Sequence, residues 1–120
     1  MKIKDVFQVL DAEVLVGEEF FDREIIDFAA SDLLSDILTF SKEGYILLTG
    51  LTSYQVIRTA ELTGAIAVVF VRGKFPTSDA LALARAHHIT ILRTEHLMFE
   101  SCKKIVQGLV KEKKDEKSLF

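Results

Sequence analysis

What this 120-residue chain lacks narrows its reading first. It has a single cysteine, Cys102, so it cannot form an internal disulfide, and secretion gains no support. It has no long apolar run. The longest, Ala65 to Val71, is far too short to span a bilayer. The opening Met1-Lys2-Ile3-Lys4-Asp5 lacks the apolar stretch of a signal peptide. A cytoplasmic protein without a membrane partner is expected. Excess positive charge is missing too: the formal net charge is −3, which gives no general pull toward phosphate backbones. No nucleic-acid partner is expected.

Chemical motifs are equally scarce. The six glycines make neither Gly-x-Gly-x-x-Gly nor the full Gly-x-x-x-x-Gly-Lys-Ser/Thr cradle. No Cys-x-x-Cys, His-x-x-x-His or Asp-x-Asp-x-Asp-Gly pattern is present, so no metal or cofactor is expected. Internal repeats and Gly/Ser-rich linkers are absent as well.

What is there is a chain 49% hydrophobic, enough for one folded domain. A domain of this size buries roughly 65% of the surface its unfolded chain exposes. Ile3, Val6, Phe7 and Leu10 share one helical face. Glu13 to Val16 reads as a strand, Glu18 to Arg23 as an acidic connection, and Glu24 to Ala30 as a second extended segment. Ser31 or Asp32 is placed to cap a helix burying Leu33, Leu34, Ile37 and Leu38 and stopping at Gly44. Tyr45 to Thr49 is a short apolar strand. Thr52-Ser53-Tyr54-Gln55 has the form of a capping box, opening a helix that buries Val56, Ile57 and Ala60 and ends at Gly64. Ala65 to Val71, apolar on both faces, reads as a central parallel strand. Pro76-Thr77-Ser78-Asp79 starts another helix, and Ile89 to Leu92 is a strand. Thr94 or Glu95 opens the last helix, with Met98, Cys102, Ile105 and Leu109 on one stripe.

Strands alternating with helices imply an α/β fold: a mainly parallel sheet of about four β-α units, preceded by a short helix and strand, with helices on both faces. Residues 1–110 form the domain, and the mixed-charge stretch 111–120 is a frayed tail. The order of the strands does not follow from the sequence.

In such sheets ligands sit outside the carboxyl ends of the strands. Three loops fall there: Gly50 to Ser53, Arg72 to Lys74, and Arg93 to His96. Gly50, Thr52, Ser53, Arg72, Gly73, Lys74 and Arg93 could together hold an anion, since helix N-termini offer free N–H groups. Equally, Thr52 caps, Gly50 turns and the basic residues are solvated. No catalytic set converges. Cys102 lies on an apolar stripe, with His96 on roughly the opposite side of the same helix. His87 and His88 mark a helix end. Asp32 and Asp36 fit a solvated helix start, and Glu18, Glu19, Asp22 and Glu24 an exposed connection. The chain is expected not to be an enzyme.

Several stretches, in order, resemble a known family. Val16-Gly17-Glu18-Glu19-Phe20-Phe21-Asp22-Arg23-Glu24-Ile25 is similar to the opening of DRTGG domains. Lys42 to Gly50 looks like that family's strand leading into its Gly-Asp-Arg turn. Arg72-Gly73-Lys74-Phe75-Pro76 stands in the place of its Thr-Gly-Gly-x-x-Pro turn, and Phe99-Glu100 in that of a Phe-Glu pair in the last helix. The resemblance spans about Val14 to Ile105. Leu51 and Thr52 replace the family's Asp and Arg, and Val71 and Arg72 replace its Thr and Gly, so the family's Asp/Arg role does not carry over.

The resemblance implies a regulatory module like those in phosphate acetyltransferases and beside nucleotide-binding CBS domains in some pyrophosphatases. It also implies a dimer, so a free-standing copy would act as a regulatory or adaptor subunit. Phe20, Phe21, Phe75 and Phe99 are candidate exposed anchors for a homodimer. The alternative expectation is a sensor of a nucleotide or other phosphorylated anion at the three loops.

Overall fold

A computed structural model describes residues 1–40 and 42–118; Ser41, Leu119 and Phe120 lie outside the described residues. The elements run α1 (Ile3–Val9), β1 (Glu13–Val16), a 3₁₀ turn (Glu18–Phe20), β2 (Asp27–Ala30), α2 (Leu34–Ile37) and β3 (Tyr45–Thr49). They continue with α3 (Tyr54–Leu62), β4 (Ala67–Phe70), α4 (Ser78–Ala86), β5 (Thr90–Arg93) and α5 (Met98–Ser118). The five strands form one sheet in the order β1-β5-β4-β3-β2. Strands β2 to β5 are parallel to their neighbours, and β1 alone is antiparallel. The fold is therefore α/β, with the mainly parallel sheet and flanking helices that the alternating pattern implies.

Consecutive parallel strands lie side by side, so right-handed crossovers put their helices on one face. There Ile37, Val56, Ile57, Ala60, Ala80 and Ala84 pack on Tyr45, Leu47, Val68, Phe70 and Ile91. The other face is covered by α1 and α5, through Ile3, Val6, Leu10 and Ile105 on Ile46, Leu48, Val69 and Leu92. Strands β3 and β4 are buried along their whole length, as an apolar run in a central strand must be. A slip in register between Val14 and Val16 lets Leu15 and Val16 both reach the α2–α4 face.

Four local expectations are corrected. The helix after Ser31 is a single turn, with Leu33 and Leu38 exposed and only Ile37 fully buried. Ser31 Oγ accepts the Leu33 N–H at 3.0 Å, and the Thr39 hydroxyl donates to the Asp36 carbonyl at 2.6 Å, closing the turn long before Gly44. The capping box does not form. Ser53, not Thr52, is the N-cap of α3, and no side chain caps it. The last helix begins at Met98, because the Thr94 hydroxyl is drawn to the Leu10 carbonyl at 2.9 Å. Phe20 and Phe21 are half-buried rather than free: Phe21 packs on Phe7 at 5.1 Å, and Arg23 lies over Phe20. Helix α5 takes in most of the stretch 111–120, whose last two residues lie outside the described ones.

Candidate functional site

Because β3, β4 and β5 are parallel neighbours, their carboxyl ends bring the three predicted loops to one edge of the sheet. A fourth segment joins them. Asp32, just beyond β2, accepts the Gly50 N–H at 2.6 Å and lies 3.7 Å from Arg72 Nη2. The buried Thr49 hydroxyl accepts the Leu51 N–H at 3.1 Å and reaches Asp32 at 3.4 Å. Arg72 lies close over Gly50: a Cβ there would meet Nη2 of the guanidinium and push that exposed side chain aside. Asp32 thus belongs to this edge and not to a helix face shared with Asp36.

The loops after β4 and β5 leave the sheet toward opposite faces, α4 on one and α5 on the other, which is the geometry that opens a ligand crevice. Here backbone bridges the divide. Arg72 and Gly73 take consecutive left-handed conformations, with φ of 59° and 65°. That reversal aims the Arg72 N–H at the His96 carbonyl and the Gly73 N–H at the Thr94 carbonyl, both at 2.8 Å. A side chain at Gly73 would also meet the Glu95 carboxylate. Arg93 Nη2 donates to the Gly73 carbonyl at 2.8 Å and lies 3.1 Å from Glu95 Oε1. Its Nη1 is 4.0 Å from Glu13, and its Cζ stands 5.5 Å from the Phe75 ring centroid.

Of the predicted set, then, Gly50, Arg72, Gly73 and Arg93 are drawn into one network. Thr52 contributes its carbonyl to the Thr77 N–H at 3.1 Å, while Ser53 and Lys74 are exposed at its margin. Both arginines already face carboxylates, Arg72 across an exposed pair and Arg93 across two. The sequence reading missed Asp32 and Glu95 as their partners. The available signal was position: Asp32 follows a parallel strand, so it exits at the same edge.

The side chains of the remaining candidates find other partners. His87 Nδ1 is 3.7 Å from Glu61, the His88 ring meets Phe20 edge-on at 5.3 Å, and His96 Nδ1 is 2.8 Å from Glu100. Among the described residues no group of three or more metal-ligating side chains forms, and no helix is long and apolar enough to cross a membrane. Asp22 is exposed; its hydrogen bond and attraction to Lys4, 3.1 Å away, hold its carboxyl below the usual range. Cys102 is half-buried on the predicted stripe, and burial pushes its thiol pKa up, the reverse of an activated nucleophile.

Cys102 instead lines an apolar groove of about 180 Å³ between β2 and α5, with Phe28, Ala30, Leu48, Ile105, Val106 and Leu109. A hollow of about 450 Å³ lies at the opposite edge strand, between β1 and the end of α4. Neither is at the three loops.

No family model matches the chain, and no curated protein gives a significant sequence match. Solved structures share its fold. One is the crystal structure of the CBS and DRTGG domains of the regulatory region of Clostridium perfringens pyrophosphatase, complexed with its activator, diadenosine tetraphosphate. It superposes with a TM-score of 0.73 at 21% identity. The match covers 89% of this chain and 46% of that one, so this chain spans about half its length. The shared fold agrees with the resemblance read from the four sequence stretches.

Proposed function

We propose that this chain is a non-catalytic regulatory module that acts by protein–protein contact, as a homodimer. The observation that carries this reading is the apolar surface left without cover beside β2. Three helices pack on one face of the sheet and two on the other, and the β2 end of the second face carries the open groove. Next to it Phe99, Val106 and Val110 stand in solvent. Contiguous exposed apolar surface on a small domain marks an interaction site. A fold shared with a regulatory region supports the same reading. Sedimentation equilibrium at micromolar concentration tests it. The expected mass is twice the 13.5 kDa of one chain, and a monomer throughout that range contradicts it.

A second reading has its own observation. Arg72 is held over Gly50 by one solvent-exposed ion pair, and such pairs contribute only ~0–1 kcal/mol. A nucleotide or other phosphorylated anion can therefore take the guanidinium from Asp32 at little cost, with Lys74 beside it. The solved relative was captured with a dinucleotide polyphosphate, which fits an anionic ligand. Diadenosine tetraphosphate and inorganic phosphate are the probes. On this reading either raises the melting temperature by mass action, and Arg72→Ala lowers that rise. A rise that survives Arg72→Ala rules out these loops.

A further inference from the structure

We infer that the second copy docks through α5, in antiparallel orientation, with Phe99 of each copy seated in the β2–α5 groove of the other. This rests on the homodimer reading and adds the surface and its geometry.

The chain carries both halves of the contact. Phe99 is 80% exposed, the most exposed of the large apolar side chains among the described residues. The groove lies one turn and more along the same helix, lined by Cys102, Val106 and Leu109 from α5 and by Phe28, Ala30 and Leu48 from the sheet. A knob and a hole on one surface are what a two-fold interface needs, since each serves the other copy. At ~100° per residue Phe99, Val106 and Val110 fall within about 40° of one another, forming one ridge. That ridge borders the groove instead of facing away from it.

Symmetry sets the register. A two-fold axis crossing α5 between Cys102 and Lys103 is equally distant from Phe99 and Val106. It therefore places each Phe99 opposite the partner's Val106, at the mouth of the groove. The charges on the flank of the ridge agree with this orientation. Glu100 and Lys103 lie on the same flank, away from β2, and both are exposed. Antiparallel packing brings Lys103 beside the partner's Glu100, and the reverse, as an opposite-charge rim around an apolar centre. A parallel two-fold would instead turn this flank to the side away from the partner's, leaving Glu100 and Lys103 without these cross-pairs.

The test compares sedimentation equilibrium of the wild type with Phe99→Glu, Val106→Glu and the control Phe75→Glu. Phe75 is as accessible as Val106 but stands at the carboxyl edge. All three positions are exposed, so each variant should fold, and circular dichroism checks that. Phe99→Glu and Val106→Glu are expected to weaken association about 30-fold or more, as loss of a central apolar anchor does, while Phe75→Glu stays dimeric. A wild-type dimer that both α5 variants leave intact overturns this surface and leaves the homodimer reading standing. A monomeric wild type overturns both, including the case in which the groove takes an apolar small molecule or a different protein.

Discussion

At the carboxyl edge of the sheet Arg72 and Arg93 each have a carboxylate within 4.0 Å, whereas at the β2–α5 face Phe99, Val106 and Val110 stand in solvent. The two regions teach different things about where binding energy resides. At the edge, opposite charges have already met, backbone bonds join the two loops, and a ligand must displace something to enter. Its gain is the difference between two sets of polar contacts. At the groove nothing is displaced but water, and apolar area removed from water contributes roughly 25 cal/mol per Å². Predicted sites chosen by residue type led to the first region. Exposure in the folded chain leads to the second.

Substitutions separate the two regions by size of effect. Leu48, the buried floor of the groove, also belongs to the core under α1 and α5. Leu48→Ala should destabilise the fold by about 2–5 kcal/mol, read from urea denaturation. A loss below about 1 kcal/mol would mean that the groove already reaches the core and that this face is loosely packed. Gly73→Ala should cost about 1–2 kcal/mol, since the left-handed backbone with φ of 65° is strained for alanine and the Glu95 carboxylate must move. Unchanged stability there would show that the Arg72–Gly73 reversal is not held as described. Arg72→Ala should be the mildest, within about 1 kcal/mol and smaller still in high salt, because an exposed pair is screened. A larger, salt-independent loss would make the edge a structural element instead of a set of solvated pairs.

The burial of Cys102 adds a pH dependence of known sign. Its folded pKa is raised, so the neutral thiol is favoured in the folded state. That contribution to stability is fully present below the unfolded thiol's pKa and is lost as pH rises through the folded one. Cys102→Ala should therefore flatten the alkaline decline in stability, measured by denaturation between pH 7 and pH 10.

Much of the fold was legible because it is local. The run Tyr45 to Leu48 is apolar at successive positions and short, as a strand buried on both faces requires. Glu13 to Val16 was delimited by Gly17 after it. Short helices misled. Leu33, Leu34, Ile37 and Leu38 have helical spacing, yet the one turn there buries only Ile37 completely, because Ser31 and Thr39 bond the backbone into tight turns at both ends. Thr52 and Thr94 look like caps, and their roles went to the Thr77 N–H and the Leu10 carbonyl, partners far off in sequence. The convergence of the three loops was legible from strand alternation. Their charge pairing was not, since Asp32 and Arg72 are distant in sequence and meet only once the strand order is known.

Hydrogen exchange followed at concentrations above and below dissociation tests the central claim most directly, because it reports both regions in one experiment. Dilution is predicted to speed exchange along Phe28 to Ala30 and Phe99 to Val110, and to leave Gly50 to Ser53 and Arg72 to Lys74 unchanged. Faster exchange at the carboxyl-edge loops, with α5 unaffected, would contradict the account and move the contact to the other region.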